Sequence, residues 1–297
     1  MGSSWTEFTL EAPAEVEEDL AAALCESGAL GVKVEAAPGP AGGAVRLRAF
    51  FEPGPGVPAL GSVVRDLGGL HGARVIGVAG VEDGRWVERW VATLAPFDVG
   101  RRFTIVPVVD PDRPPAPGRS RPTADADRIV IRICPSRAFG TGEHPTTRLC
   151  LEALESERTA GASVIDVGTG SGILAIAARL LGCRRAVAID NDAEAIAVAA
   201  SNVRLNPAAS PIALVCGEPA SLRGGSFDLV VANLNGAILG RVLHALAARL
   251  ALGGTLILSG ILDEEAEEVS RSAEDLGARR IRVERRDGWV CTVHRAE

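Results

Sequence analysis

Val164-Ile-Asp-Val-Gly-Thr-Gly-Ser-Gly172, then a helix-compatible stretch from Ile173 to Leu181, then Ala186-Val-Ala-Ile-Asp190, decides the fold. An apolar strand, a glycine-rich turn, a helix and a second apolar strand closed by an acid come in that order. In a parallel α/β sheet this order places a nucleoside ligand over the turn, with the acid at its ribose hydroxyls. The glycine spacing narrows the ligand. Dinucleotide folds use G-x-G-x-x-G so that a pyrophosphate can approach the amides at a helix N-terminus. Gly168, Gly170 and Gly172 form G-x-G-x-G instead, and position 173 is Ile. A ligand with a ribose and an adenine but no phosphate suits that turn, and S-adenosylmethionine (SAM) is the candidate. Strand–helix packing alone can also require such glycines; Asp166 and Asp190 favour the SAM reading.

From about Ile129 onward, strands and helices alternate, as a parallel sheet requires. Strands are expected at 164–168, 186–190, 212–216, 227–232 and 254–259. A last pair, near 280–286 and 289–294, meets at Asp287-Gly288, a hairpin signal. The reading is an α/β, Rossmann-like, seven-stranded SAM-dependent methyltransferase domain over residues 129–297. Ahead of it, strands at 5–10, 31–36, 44–51 and 75–81 and helices at 15–27 and 57–68 give the order βαββαβ. That order predicts a small ferredoxin-like α+β domain over residues 1–82. Residues 83–128 read as a linker. It carries a short helix with Trp86 and Trp90 on one face, for packing between domains, and a Pro-rich loop at 110–127.

A chain of 297 residues can bury two cores. No apolar run reaches the roughly 18–20 residues that span a bilayer, so no membrane role is expected. The start lacks signal-peptide features. It fits the loose myristoylation pattern, but the residues after it read as an ordinary first strand. Six cysteines are scattered without a C-x-x-C pair, and four histidines are equally dispersed. Neither a disulfide framework nor a metal site is indicated, and a cytoplasmic setting is expected. The net charge of −7 argues against nucleic-acid binding. Residues 1–60 hold nine acidic and three basic side chains, a net of −6. Such a surface attracts a basic protein partner, or merely keeps the chain in solution. With no coiled coil or long apolar edge, a monomer is expected.

Candidate chemistry gathers at the carboxyl ends of the strands. Asp190 is placed to accept from ribose hydroxyls, and Gly168 and Gly170 to let the methionine part approach the backbone. Asp166 either holds the turn or meets the ammonium through water; Glu218 either lies near the adenine or is plain surface. Asn233, after the fourth strand, is a substrate-facing polar group or a turn cap. Methylases of planar bases and amides carry prolines and an aromatic there; their absence disfavours planar targets. A second cluster, Ala138-Phe-Gly-Thr-Gly-Glu-His-Pro-Thr-Thr147, precedes the sheet. Thr146 or Thr147 can cap a helix from Leu149 to Glu155, or the loop can fold over the cofactor and exclude water.

With these residues in view, the chain resembles the ribosomal protein L11 methyltransferase family, bacterial SAM-dependent protein lysine methyltransferases. The likeness runs through Trp5-Thr-Glu-Phe, Glu18-Asp-Leu, Gly28-Ala-Leu-Gly-Val, the paired tryptophans and Phe97-Asp-Val-Gly-Arg. It is strongest in Ala138-Phe-Gly-Thr-Gly-x-His-Pro-Thr-Thr, Gly168-x-Gly-Ser-Gly-Ile-Leu-Ala-Ile-Ala and Leu258-Ser-Gly-Ile-Leu. By this resemblance Thr147, Gly168, Asp190 and Asn233 fall on the family's SAM-binding positions; Phe139, Thr141 and Gly170 are expected as further SAM contacts, and Asn233 is also the catalytic candidate. The resemblance implies a small N-terminal domain that grips ribosomal protein L11 and presents its amino groups. Glu143, the long loop at 110–127 and Leu234-Asn-Gly after Asn233 depart from the family pattern. A relative acting on another protein lysine or on a small molecule, and a non-catalytic SAM-binding module, are the alternatives.

Overall fold

The computed structural model describes residues 5–27, 29, 31–36, 44–51, 72–81, 95–108, 128–134, 142–222 and 225–297. The expected helix at 57–68, the Trp86/Trp90 pair, the loop at 110–127, and Phe139 and Thr141 lie outside these residues. The chain divides into two compact units, residues 1–90 and 91–297.

In the first unit, strands β1 (Trp5–Pro13), β2 (Gly31–Ala36), β3 (Ala44–Phe51) and β4 (Arg74–Val81) form one sheet in the order β2-β3-β1-β4. Every neighbouring pair is antiparallel. Period-2 alternation fixes which face is dry. Phe8, Leu10 and Ala12 of β1 and Leu47, Ala49 and Phe51 of β3 share the buried face. Helix α1 (Glu17–Glu26) lays Leu20 and Leu24 against it. Phe8 meets Phe51 edge to face, with ring centroids 5.5 Å apart. On the opposite face the carboxylate of Glu7 takes the Arg48 guanidinium in both oxygens, at 2.6 and 2.7 Å. This fork holds the Glu7 carboxyl below its ordinary pKa.

The second unit is built on seven strands: β8 (Ser163–Val167), β9 (Arg185–Asp190), β10 (Ala213–Cys216), β11 (Phe227–Asn233), β12 (Leu250–Leu262), β13 (Ala278–Arg286) and β14 (Trp289–Ala296). Their order is β10-β9-β8-β11-β12-β14-β13. The first five run parallel, and β14 and β13 close the sheet antiparallel. All five residues of β8 are buried, as a central strand covered on both faces must be. One face carries the core of helices α2 (Pro145–Ser156) and α3 (Ile173–Leu180). Helix α4 (Ala193–Leu205) contributes Val203 at the margin of the same core. The other face packs Leu239, Leu243 and Leu246 of α5 (Gly236–Ala247) and Val269 and Ala273 of α6 (Ala266–Asp275). The chain runs outward from β8 to β10, then returns to β11 on the other side of β8. That reversal is the switch point outside which α/β sheets bind ligands.

One expectation is corrected. Part of the stretch read as a linker is strand: β5 (Phe97–Val99) and β6 (Phe103–Pro107) join β7 (Ile129–Ile133) in a three-stranded sheet within the second unit. The reason is burial. Phe103, Thr104, Ile105 and Val106 are all inside, and only a paired backbone can be buried at that density. The guanidinium of Arg128 donates to the carbonyls of Val99, Gly100, Arg101 and Phe103. The carboxylate of Glu155, on α2, accepts from the amides of Arg101 and Arg102.

Candidate active site

The glycine turn after β8 uses backbone space that side chains avoid. Gly168, Gly170 and Gly172 have φ of 68°, 51° and 82°, a region L-residues with a Cβ rarely enter. A Cβ on Gly168 would also collide with the side chain of Leu234, and one on Gly172 would stand 3.1 Å from the Cβ of Ala199. The amides of Gly168 and Thr169 both donate to the Ile189 carbonyl, at 2.9 and 3.1 Å. The turn is thereby tied to the end of β9.

Asp190 ends that strand. One carboxylate oxygen accepts from the Gly170 amide at 2.9 Å and the other from the Asp192 amide at 3.0 Å. A carboxylate has about four acceptor sites, so each oxygen keeps a lone pair for a hydroxyl. The residue is half-buried at the carboxyl edge of the sheet, where a ribose diol would meet it.

Asp166 takes the structural half of its two expected roles. It is fully buried, and its Oδ2 accepts from the Thr169 hydroxyl at 2.6 Å and from the Ala175 amide at 3.1 Å. It staples the turn to the first turn of α3. Burial pushes its pKa up to about 7; hydrogen bonds from Thr169 and Ala175 oppose this, and the charge of Asp190 adds to it. Its Oδ1 has no hydrogen-bond partner. Glu218 is exposed and joins no cluster.

Asn233 is the last residue of β11. Its Nδ2 donates to the hydroxyl of Thr147 at 3.3 Å, while its Oδ1 is buried without a partner. A buried acceptor left unpaired costs about 1–3 kcal/mol, a cost removed by any ligand that donates to it. The turn-cap reading belongs to its neighbour: the Oδ1 of Asn235 accepts from the Ile238 amide at 2.9 Å and starts α5.

Nor do the threonines cap α2, which begins at Pro145 rather than Leu149. The cap is His144, whose Nδ1 accepts from the Thr146 amide at 3.3 Å. Burial holds the His144 imidazole below its ordinary pKa, which keeps that nitrogen an acceptor at neutral pH. Its ring stands edge to face with Trp289, centroids 5.0 Å apart. Thr146 and Thr147 fall inside the first helical turn and are buried. Thr147 is therefore free to serve Asn233, through a hydrogen bond between residues 86 apart in sequence.

Gly170 is thus hydrogen-bonded to Asp190 with Gly168 tied to the adjacent Ile189, and Thr147 and Asn233 form a second pair. Leu234, packed on Gly168, joins them. Spacing gives no sign of the cap at His144 or of the lock between Gly168 and Leu234, because both depend on which loops the sheet brings together. The orphaned Oδ1 of Asn233 and the two open lone pairs of Asp190 fit a ligand with amine and hydroxyl donors, as SAM has. Among the described residues no group of three or more His, Cys, Asp or Glu side chains fits a metal ion, and no helix is long and apolar enough to cross a membrane.

Residues 4–297 match the family model described as ribosomal protein L11 methyltransferase (PrmA). A protein of that name from Geobacter metallireducens is 35% identical over 100% of this chain and 99% of its own. Another from Bordetella parapertussis is 42% identical over 71% of this chain and 67% of its own. A crystal structure of ribosomal protein L11 methylase from Lactobacillus delbrueckii subsp. bulgaricus superposes with a TM-score of 0.60 at 29% identity, covering 69% of this chain and 99% of that one.

Proposed function

We propose that this chain, which belongs to the ribosomal protein L11 methyltransferase family, transfers methyl groups from SAM to amino groups of ribosomal protein L11, lysine side chains foremost. The observation that carries the reading is the pair formed by Asn233 and Thr147 beside the glycine turn. Thr147 engages the amide nitrogen of Asn233, so the free oxygen is the atom left for an incoming amine.

SAM supplies a sulfonium methyl already activated toward nucleophiles. The protein's contribution is then chiefly position. Asp190 holds the ribose, and the backbone of the Gly168 to Gly172 turn receives the methionine part. Phe139 and Thr141, outside the described residues, are proposed as further SAM contacts. A lysine ammonium, with a pKa of about 10.4 in water, must lose a proton before it attacks. Removal from water favours the neutral amine. The Oδ1 of Asn233 accepts an amine hydrogen and aims the lone pair.

The strand order β2-β3-β1-β4, antiparallel throughout, supports a ferredoxin-like reading of the first unit, and the order of the larger sheet supports a Rossmann-like catalytic domain within residues 91–297. The excess acid in residues 1–60 suits the first unit to gripping a basic ribosomal protein. The scatter of six cysteines through the chain fits a reducing cytoplasm.

Intact-mass spectrometry of purified ribosomal protein L11 after incubation with the enzyme and SAM tests the reading. Methyl-sized mass steps are expected, absent with Asp190→Ala. An unmodified substrate, with SAM binding intact by calorimetry, would move the target to another amine.

A further inference from the structure

Asn202, on α4, is fully buried and uses both ends of its amide. Its Oδ1 accepts from the backbone amide of Cys134 at 2.9 Å, and its Nδ2 donates to the carbonyl of Ser171 at 2.8 Å. These partners lie 37 positions apart and belong to two segments that matter for the ligand. Cys134 is where the chain leaves β7 for the motif at 138–147, and Ser171 lies within the glycine turn, between Gly170 and Gly172.

The turn needs such a restraint. Ser171 stands between Gly170 and Gly172, with φ of 51° and 82°, so the peptide units around it are flanked by two glycines, the most pliant residue type. Gly170 carries the amide that orients Asp190. Fixing the Ser171 carbonyl therefore fixes the turn, its amides and the ribose acid together. Four residues on, Asn206 makes comparable contacts away from the turn. Its Oδ1 accepts from the Arg132 amide at 2.9 Å, and its Nδ2 donates to the carbonyls of Arg132 and Asn202 at 2.7 and 2.8 Å. The edge of β7 not paired with β6, and the residue that follows it, are thus bonded by one asparagine on α4 and one at its C-cap, and of the two only Asn202 also holds the turn.

We propose that Asn202 is a positioning residue for SAM: it ties the glycine turn to the segment entering the 138–147 motif and preorganises the cofactor site. The inference rests on the reading that the turn holds SAM. Preorganisation acts on affinity because less ordering remains to be done at binding.

Asn202→Asp tests it. The carboxylate keeps an acceptor for the Cys134 amide but faces the Ser171 carbonyl without a proton to donate. Calorimetry at alkaline pH is expected to show SAM binding weakened about tenfold or more. As pH falls and the carboxyl protonates, the donor returns and affinity recovers towards wild type. Asn202→Ser, which places no charge in the core, shows the loss without the recovery. Asn206→Asp is the control: it lowers the unfolding midpoint but leaves affinity within about twofold. Unchanged affinity in both Asn202 variants, or an equal loss in Asn206→Asp, overturns the proposal. Wild-type protein that fails to bind SAM, or an Asp190→Ala variant that binds it as wild type does, instead overturns the reading on which the proposal rests, and the proposal with it.

Discussion

Asn233, half-buried, and Asp166, fully buried, each carry one buried oxygen without a partner, yet their surroundings give them different work. Asn233 lies at the end of its strand, its amide nitrogen engaged by Thr147. Replacing it with Ala removes the acceptor proposed for the incoming amine but leaves Asp190 and the glycine turn in place. Steady-state kinetics of Asn233→Ala should show kcat down by about 10²-fold, with SAM affinity falling far less; an unchanged kcat would remove the amine-aiming role. Asp166 lies inside the strand and titrates at about 7, raised chiefly by burial. A carboxyl whose pKa is raised by folding stabilises fully below its unfolded value, about 3.9, and loses that contribution as pH rises through the folded value. Wild-type stability should therefore fall relative to Asp166→Asn as pH is raised from about 4 to about 7, and the difference should level off above that. Denaturant titrations at each pH would check this, and a constant difference between the two proteins would contradict it.

At the scale of elements, the three-stranded sheet of β5, β6 and β7 is held by charge meeting backbone. Arg128 gathers four carbonyls from residues 99–103 and pairs with Asp98, and its side chain is 12% exposed. Arg128→Ala would leave those carbonyls short of a donor and should cost about 2–4 kcal/mol of stability. Urea unfolding would measure it; a loss below about 0.5 kcal/mol would place the sheet's anchorage elsewhere. The elements also show how far local pattern reaches. Helix α3 and strands β9 and β11 begin and end within a residue or two of where periodicity puts them. Helix α2 does not. Its start is set by a histidine cap, and histidine is not among the usual capping residues. β5 and β6 are missed for another reason: they are short, and their apolar run signals burial without naming an element.

For the whole molecule, the division into residues 1–90 and 91–297 carries a prediction about labour. The first unit holds its own core around Phe8, Leu20, Leu47 and Phe51, and the candidate cofactor residues all lie in the second. Removing residues 1–90 should leave SAM affinity within a few-fold of the full chain and abolish methylation of ribosomal protein L11. Calorimetry with SAM and mass spectrometry of the substrate separate the two effects. Methylation of L11 at the full rate by the truncated protein would end the recognition role of the first unit, and a small-molecule target would then be the better reading.

Much of this was legible in the residues alone, because the interactions concerned are local. Alternating apolar positions set the strands, three glycines at spacing two set the turn, and an acid at the end of the next strand marked Asp190. What only the tertiary structure decided are contacts between distant segments. Thr147 reaches Asn233 across 86 positions, Asn202 joins Cys134 to Ser171, and Leu234 fills the space above Gly168. Asp166, read as a turn holder or a ligand contact, was resolved by burial, which sets its environment and its pKa. Side-chain chemistry names what a residue can do; which partner it meets depends on chain crossings that no local pattern records.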